Sequence, residues 1–451
     1  MTPTNVLGPL IERLRARGIT ISRLQSMHPS IDRAVRIARR TLYTREFFRA
    51  GPRRRGTPDG KTFVIFNHCY DLDVDALCAA DGPHTLWVLD PFKLFTDVLY
   101  FFPPEQRDLN CVYGAGAMRE SIAGFKAAYI TELAQRLRRE THLDALITPS
   151  DVFYYLRPLI EELRALGVPT IVQDKEGTIA PSAMMEEHAR VMADRYPPIA
   201  DHYYFWNETV RDYWRRIGAR DEVMTVLGQP RSDFFFHADR WPSKTALGLT
   251  ENRPLVVAFT YDADTYLRTT EALPDRPWKQ LRDETHAAMR DLARERDVEV
   301  VIKAHPQQVE LAEVVDEFAG DPVKVVAGAS SASHLIVRAD VIVGFQSTVM
   351  IEAMLTTKPV IYAGWGPAHR KYEAGLVPIH HSGGCELPDS RADLDRMLRA
   401  ALDGQLAPSP EMLRARRAFT DRYFYGADGS VSKRVLDAAA AFAQRFSATY
   451  R

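Results

Sequence analysis

The stretch EVVIKAHPQQVE, residues 299–310, sets the reading of this chain. Val300, Val301 and Ile302 are consecutive, apolar and β-branched, the pattern of a strand covered on both faces. Polarity then arrives at once with Lys303, His305, Pro306, Gln307 and Gln308. Pro306 ends the strand and biases His305 away from helix. In open α/β sheets ligands sit beyond the carboxyl ends of the strands, so His305 falls where a binding residue is expected. A lone histidine there is more often structural, and needs partners before it carries a function.

On both sides of this stretch the pattern of strand, loop and helix repeats. KTFVIFNH (61–68), HTLWVLD (84–90), LDALITPSD (143–151), VPTIVQD (168–174) and DHYYFW (201–206) read as strands, and VMTVLGQPRSDFF (223–235) follows them. A helix is expected within 117–140, another ending at Gly167, and a third capped by Asn207. A second set runs RPLVVAFTYD, VEVVIKAHP, PVKVVAG, ADVIVGF and PVIYAGW, with helices over 278–296, through QVELAEVVDEFAG, over 331–338 and through STVMIEAMLTTK. Such alternation predicts α/β architecture, with parallel sheets covered on both faces. It occurs twice, so two Rossmann-like domains facing a cleft are expected. The expected divisions are a basic helical N-terminal extension over 1–57, an acceptor domain over 58–240, a nucleotide-donor domain over 241–425 and a C-terminal helix over 426–451.

The totals agree with this reading. A chain of 451 residues with 46% hydrophobic and 26% charged content is globular in composition and long enough for two cores. A net charge of −1 gives no global argument for nucleic acid. Cys69, Cys78, Cys111 and Cys385 lie far apart with no C-x-x-C pair, which speaks against a zinc site or a disulfide framework and for a reducing compartment. No apolar run approaches the roughly 20 residues of a membrane span, and no signal-peptide core opens the chain, so a cytoplasmic protein is expected.

Residues 1–60 depart from the average, with thirteen arginines and no lysine against four acids. Val6, Leu7, Leu10, Ile11 and Leu14 recur at helical spacing, as do Ile31, Val35, Ala38 and Leu42. Two basic amphipathic helices are expected over residues 1–55. They suit either an anionic membrane surface on the inner face of the cell membrane or simple packing on the protein with a solvated arginine face.

Several stretches gather polar groups at expected strand ends. FTYD (259–262) offers Thr260 and Tyr261, and GFQSTVMIE (344–352) offers Gln346, Ser347, Thr348 and Glu352. Hydroxyls and free N–H groups at a helix start favour a phosphate, and Glu352 is expected to accept from ribose hydroxyls. The bland alternative is a Ser347 cap and a solvated Glu352. GQPRSD (228–233) places Arg231, a planar cation, near the cleft. FNHCYDLDVD (66–75) supplies Asn67, His68, Asp71 and Asp73, and VQDKEGTIAP (172–181) supplies Asp174, Lys175 and Glu176. Glu176, Asp71 and Asp73 are the candidate bases for an attacking hydroxyl, and no metal site or cofactor is expected.

Together, GQPRSD, KAHP, GFQSTVMIEAMLTTKPVI, QDKEGTI followed by YYFWNE, and the tail YFYGADGSVSKRV resemble GT-B glycosyltransferases of bacterial capsule and surface-polysaccharide synthesis. That group includes β-Kdo transferases, polysialyltransferases and CDP-glycerol glycerophosphotransferases. The resemblance covers roughly residues 140–440. It implies that His305 and the Ser347–Thr348 pair contact a cytidine-nucleotide phosphate, with Pro306 and Lys303 beside them. It further implies an inverting, metal-independent transfer from a CMP- or UDP-linked nucleotide sugar, CMP-linked by preference, to a glycan or lipid-linked acceptor. A CDP-polyol phosphotransferase, a UDP-sugar 2-epimerase and a non-catalytic nucleotide-binding module share the expected architecture.

Overall fold

The computed structural model describes residues 43–68, 70–90, 123, 126–175, 182–264, 276–305, 308–328 and 332–449. Two sheets carry the fold. The first has six strands, β1 (Thr62–Phe66), β2 (Thr85–Leu89), β3 (Ala145–Thr148), β4 (Thr170–Gln173), β5 (His202–Phe205) and β6 (Met224–Val226), in the order β2-β1-β3-β4-β5-β6. The second has five, β7 (Leu255–Phe259), β8 (Glu299–Lys303), β9 (Val323–Val326), β10 (Val341–Gly344) and β11 (Val360–Tyr362), in the order β11-β10-β7-β8-β9. Every strand pairing within the two sheets is parallel.

Burial explains why the strands are apolar throughout. In β1, Phe63 and Ile65 join a cluster with Ile147 and Ile171, while Val64 and Phe66 join Leu133, Leu137, Leu159 and Leu163 on the other face. The first face is covered by the helix Val431–Thr449, whose Val431, Val435, Leu436, Ala439 and Ala443 lie in that cluster. The chain therefore returns from the second sheet to complete the first. The helix Glu208–Ile217 begins on Asn207, whose Oδ1 accepts from the Val210 N–H at 2.9 Å, and ends at Gly218 with φ of 108°. Both are the signals that the sequence carries.

Some helices are shorter than their sequence suggests. The helix after β10 spans only Thr348–Ala353. Thr356 Oγ1 donates back to the Ala353 carbonyl at 2.7 Å, and Lys358 Nζ donates to the Val337 carbonyl at 2.6 Å, so the chain turns early. The helix after β8 is likewise confined to Leu311–Glu317. Within the expected 117–140 helix, Lys126–Ile130 forms a π-helical turn that runs into the helix Thr131–Thr141. Helices at Asp71–Ala79, Ser182–Arg195, Gly366–Tyr372, Arg391–Leu402 and Pro410–Thr420 are additional to those expected. Of the basic helical stretch expected over 1–55, residues 1–42 lie outside the described residues. A helix at 43–50 does lie within them, and its Phe47 ring centroid is 5.3 Å from that of Trp87. No described helix is long and apolar enough to cross a membrane.

Candidate active site

Strand order locates the crevices. In the first sheet it reverses between β1 and β3, and in the second between β7 and β10. In the second sheet Ala258 pairs with Val343 and Phe259 with Lys303, so β7, β8 and β10 finish level. Thr260, Ala304–His305 and Gln346–Ser347 therefore leave the sheet along one edge.

The roles of these residues differ. His305 is exposed, and its backbone N–H donates to Gln308 Oε1 at 3.2 Å. Thr260 is buried, with its Oγ1 2.8 Å from His286 Nε2, and His286 Nδ1 is 2.8 Å from Glu317 Oε2. Tyr261 is buried beside it, its ring centroid 5.3 Å from that of Phe345 and tilted by 43°. Ser347 caps the helix Thr348–Ala353, and the partly exposed Thr348 opens it.

Three expected donor contacts are corrected by the geometry. Lys303 does not reach out from the strand end: it is buried, desolvation pushes its pKa down to about 8, and Nζ donates to the Ala304 carbonyl at 2.5 Å. Gln346 is consumed in holding the loop after β11. Its Nε2 donates to Tyr362 Oη at 2.8 Å and the Val377 carbonyl at 2.9 Å, and its Oε1 accepts from the Val377 N–H at 2.9 Å. Glu352 is not solvated and offers no open carboxylate to a ribose. It is 1% exposed, and Oε1 accepts from Arg231 Nε at 2.8 Å while Oε2 accepts from Ser333 Oγ at 3.4 Å. Pro306 and Glu176 lie outside the described residues.

Arg231 is the centre of a cross-sheet cluster. It follows β6, yet it reaches both Glu352 after β10 and Asp73 after β1. Asp73 Oδ1 accepts from the Arg231 N–H at 3.2 Å, and Oδ2 from Nη1 at 3.4 Å. The guanidinium lies 4.7 Å over the Trp206 ring, and the Gln229 amide oxygen, turned toward it, accepts from Nη2 at 2.8 Å. Burial pushes the Asp73 pKa up to about 6, against the pull of Arg231. The buried Tyr70 hydroxyl above this cluster is held well above its ordinary pKa by burial, then by Asp73. Asp73 is thus committed to an ion pair, which removes it as an open base. Nothing in GQPRSD or DLDVD foretells that pairing, because it joins residues 121 and 158 positions apart.

The crevice after β1 is different. Asp71 is exposed, and its Oδ1 accepts from Asn67 Nδ2 at 2.7 Å. His68 is buried, with Nδ1 2.8 Å from Tyr155 Oη, and burial followed by the charge of Lys175 brings its pKa down to about 4. Lys175 Nζ lies 5.8 Å over the Phe153 ring. Asp174 is fixed by Trp214 Nε1, which donates to its Oδ2 at 2.5 Å. The described crevice therefore combines an exposed acid, a neutral imidazole and a lysine.

Comparison with known proteins adds the following. The family model for CDP-glycerol:poly(glycerophosphate) glycerophosphotransferase matches residues 174–440. A structure described as a UDP-N-acetylglucosamine 2-epimerase from Listeria monocytogenes aligns with a TM-score of 0.51 at 12% identity, covering 85% of this chain and 97% of that one. Another UDP-N-acetylglucosamine 2-epimerase aligns at 0.50 and 14% identity, covering 87% and 97%. The wall teichoic acid polymerase TagF aligns at 0.48 and 12% identity, covering 91% and 94%. No curated protein matches by sequence. The epimerase alignments show a shared two-sheet α/β fold of the GT-B kind. The family match spans more than half of the chain, and the chain belongs to the CDP-glycerol glycerophosphotransferase family, a family of transferases.

Proposed function

We propose that the chain transfers a polyol phosphate from a CDP-activated donor to a hydroxyl of a surface-polymer acceptor. One observation carries this reading: the family match over 174–440 contains the whole edge formed by β7, β8 and β10, including His305, Ser347 and Thr348. An acceptor oxygen attacks the phosphorus that bears the polyol. A P–O bond forms to the acceptor, the P–O bond to the bridging oxygen breaks, and CMP leaves with that oxygen. Charge accumulates on the phosphate oxygens, where the His305 imidazole and the Ser347 and Thr348 hydroxyls act as hydrogen-bond donors. The hydroxyl proton passes to a base in the crevice after β1. Asp71 is the exposed acid there, and Glu176 follows β4 in the chain.

A CMP-linked sugar would use the same phosphate contacts, but attack at the anomeric carbon would break a C–O bond. A free UDP-sugar epimerase would need no acceptor. The test is thermal stabilisation by CMP, CDP, UMP and UDP, followed by incubation of CDP-glycerol or a CMP-sugar with a polyol-phosphate primer. A ligand that binds only the folded state raises the midpoint. Selective stabilisation by CMP and CDP, with release of CMP and a new phosphodiester in the primer, is expected. A glycosidic product from the CMP-sugar replaces phosphate transfer with sugar transfer, and stabilisation by UDP alone overturns both.

A further inference from the structure

The loop after β11 gathers Glu373, His380 and His381, three groups that the proposed transfer does not use. Glu373 Oε1 is 3.0 Å from His380 Nε2 and 3.2 Å from His381 Nε2. One ligand atom from each of the three lies within 4.8 Å of the others. A tetrahedral ion with bonds of about 2.1 Å needs ligand atoms about 3.4 Å apart, so small adjustments admit one.

Further features distinguish this cluster from a casual surface group. His380 is 9% exposed, and its ring is already oriented: Tyr362 stacks on it at 5.6 Å and 27°, and His369 meets it edge-on at 5.1 Å. His380 Nδ1 is buried without a protein partner, so the ring is not consumed by structure. The loop itself is fixed, because Gln346 closes both hydrogen-bonding groups of Val377. All three groups line a cavity of about 760 Å³, which Arg370, Lys371 and Tyr423 also border.

We propose that Glu373, His380 and His381 bind one divalent transition-metal cation, zinc by ligand type, with the fourth coordination position open to this cavity. Two imidazoles, one carboxylate and an open position form the donor set of a metal that holds water or an exchangeable oxygen ligand. One carboxylate leaves the occupied site with a net charge of +1. Beside Arg370 and Lys371, that position favours an anionic oxygen such as a phosphate or carboxylate.

The test uses the full chain dialysed against a chelator, then titrated with Co²⁺ as a spectroscopic probe and with Zn²⁺ in competition. One equivalent of Co²⁺ with the strong visible absorption of a four-coordinate ion is expected, displaced by Zn²⁺, together with a metal-dependent rise in the unfolding midpoint. His381 is 66% exposed, so His381→Ala leaves the metal-free midpoint unchanged while weakening Zn²⁺ by at least tenfold. Glu373→Gln, which keeps the side-chain volume, weakens it comparably. Equal Zn²⁺ affinity in wild type and both variants overturns the site, as does absence of Co²⁺ binding to folded wild type.

Discussion

Replacing Arg231 by methionine is the sharpest probe of the cross-sheet cluster. Asp73 and Glu352 are 0% and 1% exposed, and Arg231 is the cation that both contact. Removing one partner of a buried ion pair costs about 3–5 kcal/mol, because the other charge stays buried. Asp73 makes the loss pH-dependent. Its carboxyl is raised from 3.8 to about 6, so its proton favours the folded state. That contribution is complete below the unfolded pKa and is lost as pH rises through about 6, a swing of roughly 3 kcal/mol. Methionine in place of Arg231 removes the cation that opposes desolvation and raises that pKa further. The variant is therefore expected to lose most of its stability above neutrality and far less near pH 5, where Asp73 already holds its proton. Thermal midpoints of wild type and variant across that range check this. Adding Asp73→Asn and Glu352→Gln to Arg231→Met is expected to recover much of the loss at high pH. An equal deficit at both ends of the range, or no deficit at high pH, refutes the argument.

Other perturbations follow from the same geometry. His305→Ala, at an exposed position, is expected to leave the unfolding midpoint unchanged and weaken CDP binding by about 10–100-fold, the worth of a hydrogen bond to a charged group; calorimetric titration reads this. Gly228→Ala is expected to lower the midpoint by several degrees, since a Cβ would lie 2.3 Å from the Tyr425 carbonyl oxygen and φ is +97°. Arg416→Met strands the Gly384, Thr356 and Lys358 carbonyls that its guanidinium now holds at 2.6–2.8 Å, and denaturation is expected to show a loss of about 3 kcal/mol or more. Deleting residues 1–55 is expected to reduce sedimentation with anionic vesicles at low salt. Unchanged sedimentation assigns the arginine-rich stretch to packing or solvation.

The strands were legible because a parallel strand buried on both faces reads as an apolar run. Val300–Ile302 and Val341–Val343 need no tertiary context to be seen. Their ends were legible for a related reason: polarity, glycine and proline mark the point where burial stops. What each polar group does there was not legible. Lys303, Gln346 and Glu352 all sit at such ends, yet a backbone carbonyl, a distant loop and an arginine from the other sheet take their hydrogen-bonding capacity. Those partners are set by topology, which local pattern does not encode. The Glu373, His380 and His381 cluster was hidden differently. Its spacing follows no helical or strand period, and a loop folded back by Gln346 brings the ligands together.

The same contacts bear on how the two sheets are held relative to each other. The chain passes from the first sheet to the second after β6, and it returns before the helix Val431–Thr449. The crossings touch: the Tyr425 N–H donates to the Trp206 carbonyl at 3.0 Å, and Asn207 Nδ2 donates to the Tyr423 carbonyl at 3.1 Å. Asp233 then anchors the returning helix through the Val431 and Ser432 N–H groups at 2.9 and 2.8 Å. A change in the angle between the sheets must be absorbed at these crossings or must break these bonds. Arg231 lies two residues from Asp233 and reaches Glu352 in the helix after β10. The Asp73–Arg231–Glu352 cluster therefore adds a third tie, joining the crevice after β1 to the helix after β10.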